Sequence, residues 1–170
     1  AEDGIHLLMG EITLNSCKTA IEFILLHNQQ TCRAKHITLV ICSAGGSAEA
    51  AFALIDIMKH SQIPVHTVGL GQIASAGLMI FIAGHDGQRR ITSNTSMLSH
   101  QYTWGADGKE HELFARIREY ELTTQRMLNH YTRCTGLEKD EVRIKLLPPE
   151  DKWLSAEEAL SLNLCDAIID

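Results

Sequence analysis

The chain has no run of the roughly 18 apolar residues that a membrane span needs; its longest, Ala74 to Ala83, is about half that length. No signal-peptide pattern is visible, and neither low-complexity segments nor internal repeats interrupt the 170 residues. The five cysteines, at 17, 32, 42, 134 and 165, form an odd set without a Cys-x-x-Cys pair. That suits a reducing, cytoplasmic compartment better than a disulfide framework, with the thiols read as small buried hydrophobes. A basic stripe is also missing. A net charge of -6 disfavours nonspecific nucleic-acid binding, which depends on Lys and Arg neutralising phosphates. His-Glu-x-x-His and paired-cysteine spacings are absent despite nine histidines, so neither a metal nor another cofactor is expected. Glu11, Glu22, Glu49, Glu119 and Glu121 read as solvated helix faces, with no carboxylate pair placed as in a glycosidase.

What is present suits one soluble α/β domain over residues 1–170, with 45% hydrophobic residues available for a core. Ile5 to Met9, His36 to Cys42 and Pro64 to Leu70 read as short buried strands. Between them Asn15 to His27 and Ser47 to His60 show helical spacing, with Asn15 or Ser16 and Ser47 as N-cap candidates. This β-α-β-α-β order predicts parallel strands joined by crossover helices. It also places Gly46 and Ser75 just beyond strand C-termini, where open α/β sheets carry their sites.

Three short stretches contain the residue types of one nucleophilic site: Gly71-Gln72-Ile73-Ala74-Ser75-Ala76-Gly77, Met97-Leu98-Ser99-His100-Gln101, and Glu150-Asp151-Lys152-Trp153-Leu154-Ser155-Ala156. A serine hydroxyl is a weak nucleophile, so an imidazole must take its proton and a carboxylate must hold the imidazole's tautomer. Ser75, His100 and Asp151 fit those roles, and peptide-bond hydrolysis is the reaction they suggest. Ile73 stands where a five-residue nucleophile elbow requires glycine, which disfavours an α/β-hydrolase. An oxyanion hole completes such a site. Its candidate donors are Gly46 N–H, in Cys42-Ser43-Ala44-Gly45-Gly46-Ser47-Ala48, and Ala76 N–H, at the entry to a helix. Each residue also has an ordinary reading. Ser75 could be a small residue admitting close helix packing, His100 a satisfied strand histidine, and Asp151 a helix cap. Ser155 with Glu158 is the better capping box before Ala156 to Leu162.

Together, these blocks resemble those of the proteolytic subunits of the Clp protease (ClpP) family, including phage and plastid relatives. Ser43-Ala44-Gly45-Gly46-Ser47 is similar to the family's Ser-Pro-Gly-Gly-Ser, Gly71 to Gly77 to its Gly-x-Ala-Ala-Ser-Met-Gly, and Asp151 to Ala156 to its Asp-x-Phe-Leu-Ser-Ala. The similarity runs from about Ile5 to Ile169. It implies a ClpP/crotonase-like fold of repeated β-β-α type units with a protruding handle helix. It makes Ser75 the nucleophile, His100 the general base and acid, and Asp151 the orienting carboxylate, with Gly46 and Ala76 as oxyanion donors. Peptide would lie extended between Gly45 and Ser47 on one side and Tyr102 and Thr103 on the other, adding a strand. The implied partners are further copies of the chain, in heptameric rings stacked as a tetradecamer, a Clp-type ATPase unfoldase, and peptide or unfolded-protein substrates.

The chain departs from the family at several points. Ala44 and Tyr102 stand where prolines are usual, and Ala76 where methionine is; a backbone donor is indifferent to its own side chain. Pro149-Glu150 replaces an Asp-Arg pair that joins stacked rings. Family members also carry a turn-and-loop segment before the first strand, which forms the axial gate and touches the ATPase; this chain enters an apolar stretch by Ile5.

Lys109 to Cys134 is the longest helical candidate, part of a handle region over about 101–134. Leu113, Ile117, Tyr120, Thr124, Met127 and Tyr131 recur at four-three spacing. At about 1.5 Å per residue the helix exceeds what its own core can cover, so part should self-associate, with Phe114 and Leu128 contributing. Ahead of it, Tyr102 to Gly108 reads as a short strand leading into a Gly-bearing turn. Two other readings remain: a non-catalytic ring subunit or scaffold, and a crotonase-like acyl-CoA enzyme, which also holds an oxyanion on two backbone N–H groups but needs no such triad.

Overall fold

The computed structural model describes residues 4–29 and 34–170, so Cys32 and the first three residues lie outside the described part. β1 (Gly4–Ile12), α1 (Leu14–Gln29), β2 (Ile37–Gly46), α2 (Ala48–His60), β3 (Val65–Ala74) and α3 (Ala76–Ile82) alternate as expected. They are followed by β4 (Arg89–Thr92), β5 (Ser96–Ser99), α4 (Glu110–Thr135), α5 (Lys139–Lys145), β6 (Lys152–Leu154), α6 (Ala156–Ser161) and β7 (Ala167–Ile169). The parallel path of the sheet is β1-β2-β3-β4-β7, and β5 branches from β3 to pair antiparallel with β6.

Local chemistry accounts for the helix starts. Ser47 caps α2 by accepting from Ala50 N at 3.1 Å, and Ser155 with Glu158 forms the reciprocal capping box of α6. α1 differs from expectation: Thr13, not Asn15 or Ser16, meets the free amides, its hydroxyl accepting from Ser16 N at 3.1 Å while Ser16 Oγ accepts from Thr13 N at 2.9 Å. Ser16 supplies the third-position partner of that exchange.

The core lies on one face of the sheet, where Leu8, Ile12, Ile37, Leu39 and Ile41 meet Cys17, Ala20 and Ile24 of α1 and Leu54, Ile55 and Met58 of α2. Every residue of α3 is buried, which accounts for the apolar run from Ala74 to Ala83. Across the other face the strand partners Ile5 and Thr38, Leu7 and Val40, and Met9 and Cys42 alternate outward. Ile5, Leu7 and Met9 are 55%, 61% and 53% exposed, an uncovered apolar face on a parallel strand. Of the described cysteines, Cys17 and Cys165 are buried, their thiols pushed up to about 11 by burial, while Cys42 and Cys134 are only partly buried.

Beyond the central sheet, Arg89 fixes the final strand. Its guanidinium meets Asp166 through Nε at 3.0 Å and Nη2 at 2.5 Å, and Nη1 donates to Cys134 O at 2.8 Å. Partial burial pushes the Asp166 carboxyl up, but the Arg89 hydrogen bonds hold it below its ordinary range.

Helix α4 is 26 residues long, about 39 Å at the standard rise. Gly136 ends it in the left-handed region, φ 73°, where a side chain would be strained. Only its second half is anchored: Thr123, Met127, Leu128, His130, Tyr131 and Thr135 are buried, whereas Phe114, Ile117 and Leu122 are exposed. Leu128 is therefore a core residue and not part of a self-association surface, because its face of the helix closes over α3 and α5.

Candidate active site

Ser75 sits where β3 turns into α3, with φ 53° and ψ -122°, a conformation rare for a residue with a side chain. Two backbone bonds hold it there: Ser75 N donates to Leu98 O at 3.0 Å and Met79 N donates to Ser75 O at 3.1 Å. Its hydroxyl makes no capping bond to the helix. The close packing that a small residue might serve falls instead to Gly77, where an added Cβ would stand 3.0 Å from Ser43 Cβ.

The paired glycines have specific backbone reasons. Gly45 has φ 103°, and a Cβ there would lie 2.7 Å from Ser75 Cβ and 3.2 Å from its Oγ. A Cβ on Gly46 would strike Ile12 O of β1. Ser43 ties this turn together: its buried hydroxyl donates to Gly10 O at 2.5 Å and accepts from Gly45 N at 3.0 Å. Ser43 was not among the sequence-derived candidates, although it stands in the same block. Ser47 N donates to Ile12 O at 2.8 Å, which ties the end of this turn to β1. Ala76 N–H belongs to the first helical residue, among the amides that a helix leaves without an internal partner.

His100 and Asp151 are brought into register by one short strand. β5 runs parallel to β3 with Ala74 opposite Leu98, and antiparallel to β6 with Ser99 opposite Lys152. One step further along the first ladder stands Ser75, beside Ser99, and one step further along the second stand His100 and Asp151. β5 is anchored at its end by Ser99, whose buried hydroxyl donates to Leu146 O and lies 3.3 Å from the Tyr131 hydroxyl. Ser75, Ala76, Gly46 and His100 line one cavity of about 90 Å³, together with Ala48, Met79, Tyr102, Thr103 and Met127. Asp151 is exposed and outside that lining. Among the described residues the three side chains of the expected triad are close in topology but not hydrogen-bonded to one another.

Tyr102 and Thr103 line the cavity, but the short strand expected to open Tyr102–Gly108 is not formed; residues 101–107 have no regular secondary structure. Among the described residues no strand pairs with this segment, and side chains hold it instead. Gln101 Nε2 donates to Leu147 O at 3.1 Å, and the Tyr102 and Trp104 rings stand 5.9 and 4.9 Å from Tyr120. Tyr102 hydroxyl reaches Glu49 Oε1 at 3.4 Å, and Ser47 hydroxyl donates to Glu49 Oε2 at 3.0 Å. Hydrogen bonding by its own backbone N–H, then by these hydroxyls, holds the Glu49 carboxyl below its ordinary range despite some burial. Glu49 is thus more than a solvated helix residue.

Behind the cavity, buried His130 joins α4 to the helix that follows Ser75. Nε2 donates to Met79 O at 2.7 Å, and Nδ1 accepts from Arg133 at 3.0 Å, which fixes a neutral ring. Burial pushes its pKa down to about 4. Elsewhere His36 stacks on His66 at 4.2 Å and 8°, and His66 faces His85 at 6.1 Å. Among the described residues, no group of three potential ligands is placed to hold a metal ion, and no helix is long and apolar enough to cross a membrane.

Comparison with known proteins places this arrangement in a family context. The family described as Clp protease matches residues 1–170. The chain is 36% identical over 137 residues to ATP-dependent Clp protease proteolytic subunit 1 of Corynebacterium glutamicum, covering 80% of this chain and 65% of that protein. A similar protein of Corynebacterium diphtheriae matches at the same identity and coverage. The chloroplastic proteolytic subunit 3 of Arabidopsis thaliana is 36% identical over 136 residues, 80% of this chain and 43% of the relative. The match thus spans just under two thirds of the bacterial relatives' length. With its fold and its matched length taken together, the chain belongs to the Clp protease family.

Proposed function

We propose that this chain is a serine endopeptidase that hydrolyses peptide bonds in peptides or unfolded proteins within an oligomeric ring. The observation that carries this reading is the strained Ser75 turn opening into a cavity shared with His100, Gly46 and Ala76. Ser75 Oγ attacks the scissile carbonyl as His100 takes its proton; Asp151 orients the imidazole. Gly46 N–H and Ala76 N–H receive the developing oxyanion, Ala76 with the added field of the α3 N-terminus. His100 then protonates the departing amine, and water attacks the acyl-enzyme by the same route in reverse. Gly45, Ser47, Tyr102 and Thr103 flank the extended peptide.

Assembly into heptameric rings, stacked as a tetradecamer, is part of the same proposal. Parallel sheets are ordinarily covered on both faces, and here the face bearing Ile5, Leu7 and Met9 is bare, as is the Phe114 half of α4. Further copies would cover both and draw His100 and Asp151 into contact with Ser75. The relatives' names, ATP-dependent Clp protease proteolytic subunits, support dependence on ATP, which a Clp-type ATPase partner would supply; a cytoplasmic compartment is part of the same proposal.

The test is covalent labelling by a fluorophosphonate, read by intact mass and peptide mapping on size-fractionated protein beside Ser75→Ala. A single adduct on Ser75 in the assembled fraction, absent in the variant, is the expected result. A well-folded oligomer that takes no adduct on Ser75 would overturn the assignment and leave a non-catalytic ring subunit.

A further inference from the structure

The two walls of the reactive cavity are tied across its mouth. One wall is the N-terminal end of α2, with Gly46 and Ala48 in the lining and Glu49 at the rim; the other is the segment from His100 to Thr103. Tyr102 hydroxyl crosses to Glu49 Oε1 at 3.4 Å, and Ser47 holds the second oxygen of the same carboxylate. Tyr102 occupies this position because its ring rests against Tyr120 of α4. Its segment has no ladder bonds to hold it and can swing when the side-chain contacts are released.

From this geometry we infer that Tyr102 and Glu49 form a strap that selects substrates by extent, admitting small acyl groups to Ser75 and resisting an extended polypeptide until the bond opens. The inference rests on the peptidase reading, because the groove that the strap crosses is the one assigned to the peptide. A peptide laid between Ser47 and Thr103 must displace the Tyr102 hydroxyl from Glu49. The bond is long and partly solvated, so it opens readily. Apparent affinity for an extended ligand is then reduced by the fraction of molecules in which it is open. The Glu49 carboxyl is held in its ionised, accepting form, which keeps the strap closed at neutral pH. Arg126, the other charged group acting on both partners, bonds to Thr123 and Glu119 and lies over the Phe52 ring of α2 at 5.0 Å, while Glu119 acts on Tyr102.

The experiment measures binding, not turnover. Fluorescence anisotropy of a fluorescein-labelled ten-residue alanine–leucine peptide is titrated with Ser75→Ala protein, which cannot cleave it. The same titration follows with Tyr102→Phe, Glu49→Gln or both added. Removing this long, partly solvated hydrogen bond should tighten binding about two- to three-fold in either added variant, and the combined variant should gain no more than either alone, since the two groups share one bond. Tyr102→Phe keeps the ring on Tyr120, so the wall itself remains. Unchanged or weaker binding with Tyr102→Phe, gains that multiply in the combined variant, or no binding by any of the four proteins would overturn the strap. Fluorophosphonate reactivity of the unsubstituted protein reports on the peptidase reading separately, so the two can fail independently.

Discussion

Replacing His130 with glutamine should remove most of the acid sensitivity that this one side chain confers. The folded state keeps the ring neutral, with its pKa near 4 against an ordinary 6.5. Between those values the unfolded chain binds a proton that the folded chain refuses, so stability is full above about pH 6.5 and declines as pH falls toward 4. From this pair of values the loss between pH 7 and pH 5 is about 2 kcal/mol, approaching about 3 kcal/mol near pH 4. A glutamine amide reaches about as far as Nε2 and can still donate to Met79 O, but it does not titrate. Urea unfolding of both proteins at pH 7, 6 and 5 should show the unsubstituted protein losing about 2 kcal/mol more than His130→Gln over that range. The lowered pKa values of His6 and His66 act equally in both proteins and cancel in the difference. Parallel stability curves would refute the reasoning, because they would mean that the His130 ring is not held neutral against α3.

Gly45→Ala should abolish fluorophosphonate labelling of Ser75 and lower stability by about 1–2 kcal/mol or more, because the left-handed backbone penalty adds to the contact with Ser75. Gly105→Ala, with nothing within 4 Å, should leave the urea midpoint nearly unchanged. Arg89→Met should destabilise by about 3 kcal/mol by leaving Asp166 partly buried without its partner. Asp166→Leu added to it should restore much of that loss, and additive losses in urea unfolding would contradict the pairing.

The alternating β-α order was legible because each early strand is a short apolar run and each helix has its own period and cap. Ser47 and Ser155 show how reliable a local signal is when both partners of a bond lie within three residues. The same locality made Asn15 and Ser16 attractive caps, while Thr13, at the end of β1, was the residue in position to act. Motif order pointed to Ser75, His100 and Asp151, and the pairing of β5 with β3 and β6 brings their segments together. Tyr102 misled because aromatic and threonine residues suggest a strand, yet a strand also needs a neighbour to pair with. Leu128 misled because a place beside the apolar stripe of a long helix does not tell which half of that helix lies on the core. The Tyr102–Glu49 bond joins residues 53 positions apart, and no periodicity encodes it.

Strand β5 has only four residues, Ser96 to Ser99, yet it is the ruler against which the site is measured. Its left neighbour delivers the serine and its right neighbour the aspartate, while its own end delivers the histidine. Slipping it by one residue would move His100 about 3.3 Å and turn every side chain of the strand to the opposite face. Insertions in the turn at 93–94 or the loop at 105–107 should therefore be tolerated far better than a single residue added within β5, which would leave all three groups present and no working alignment among them.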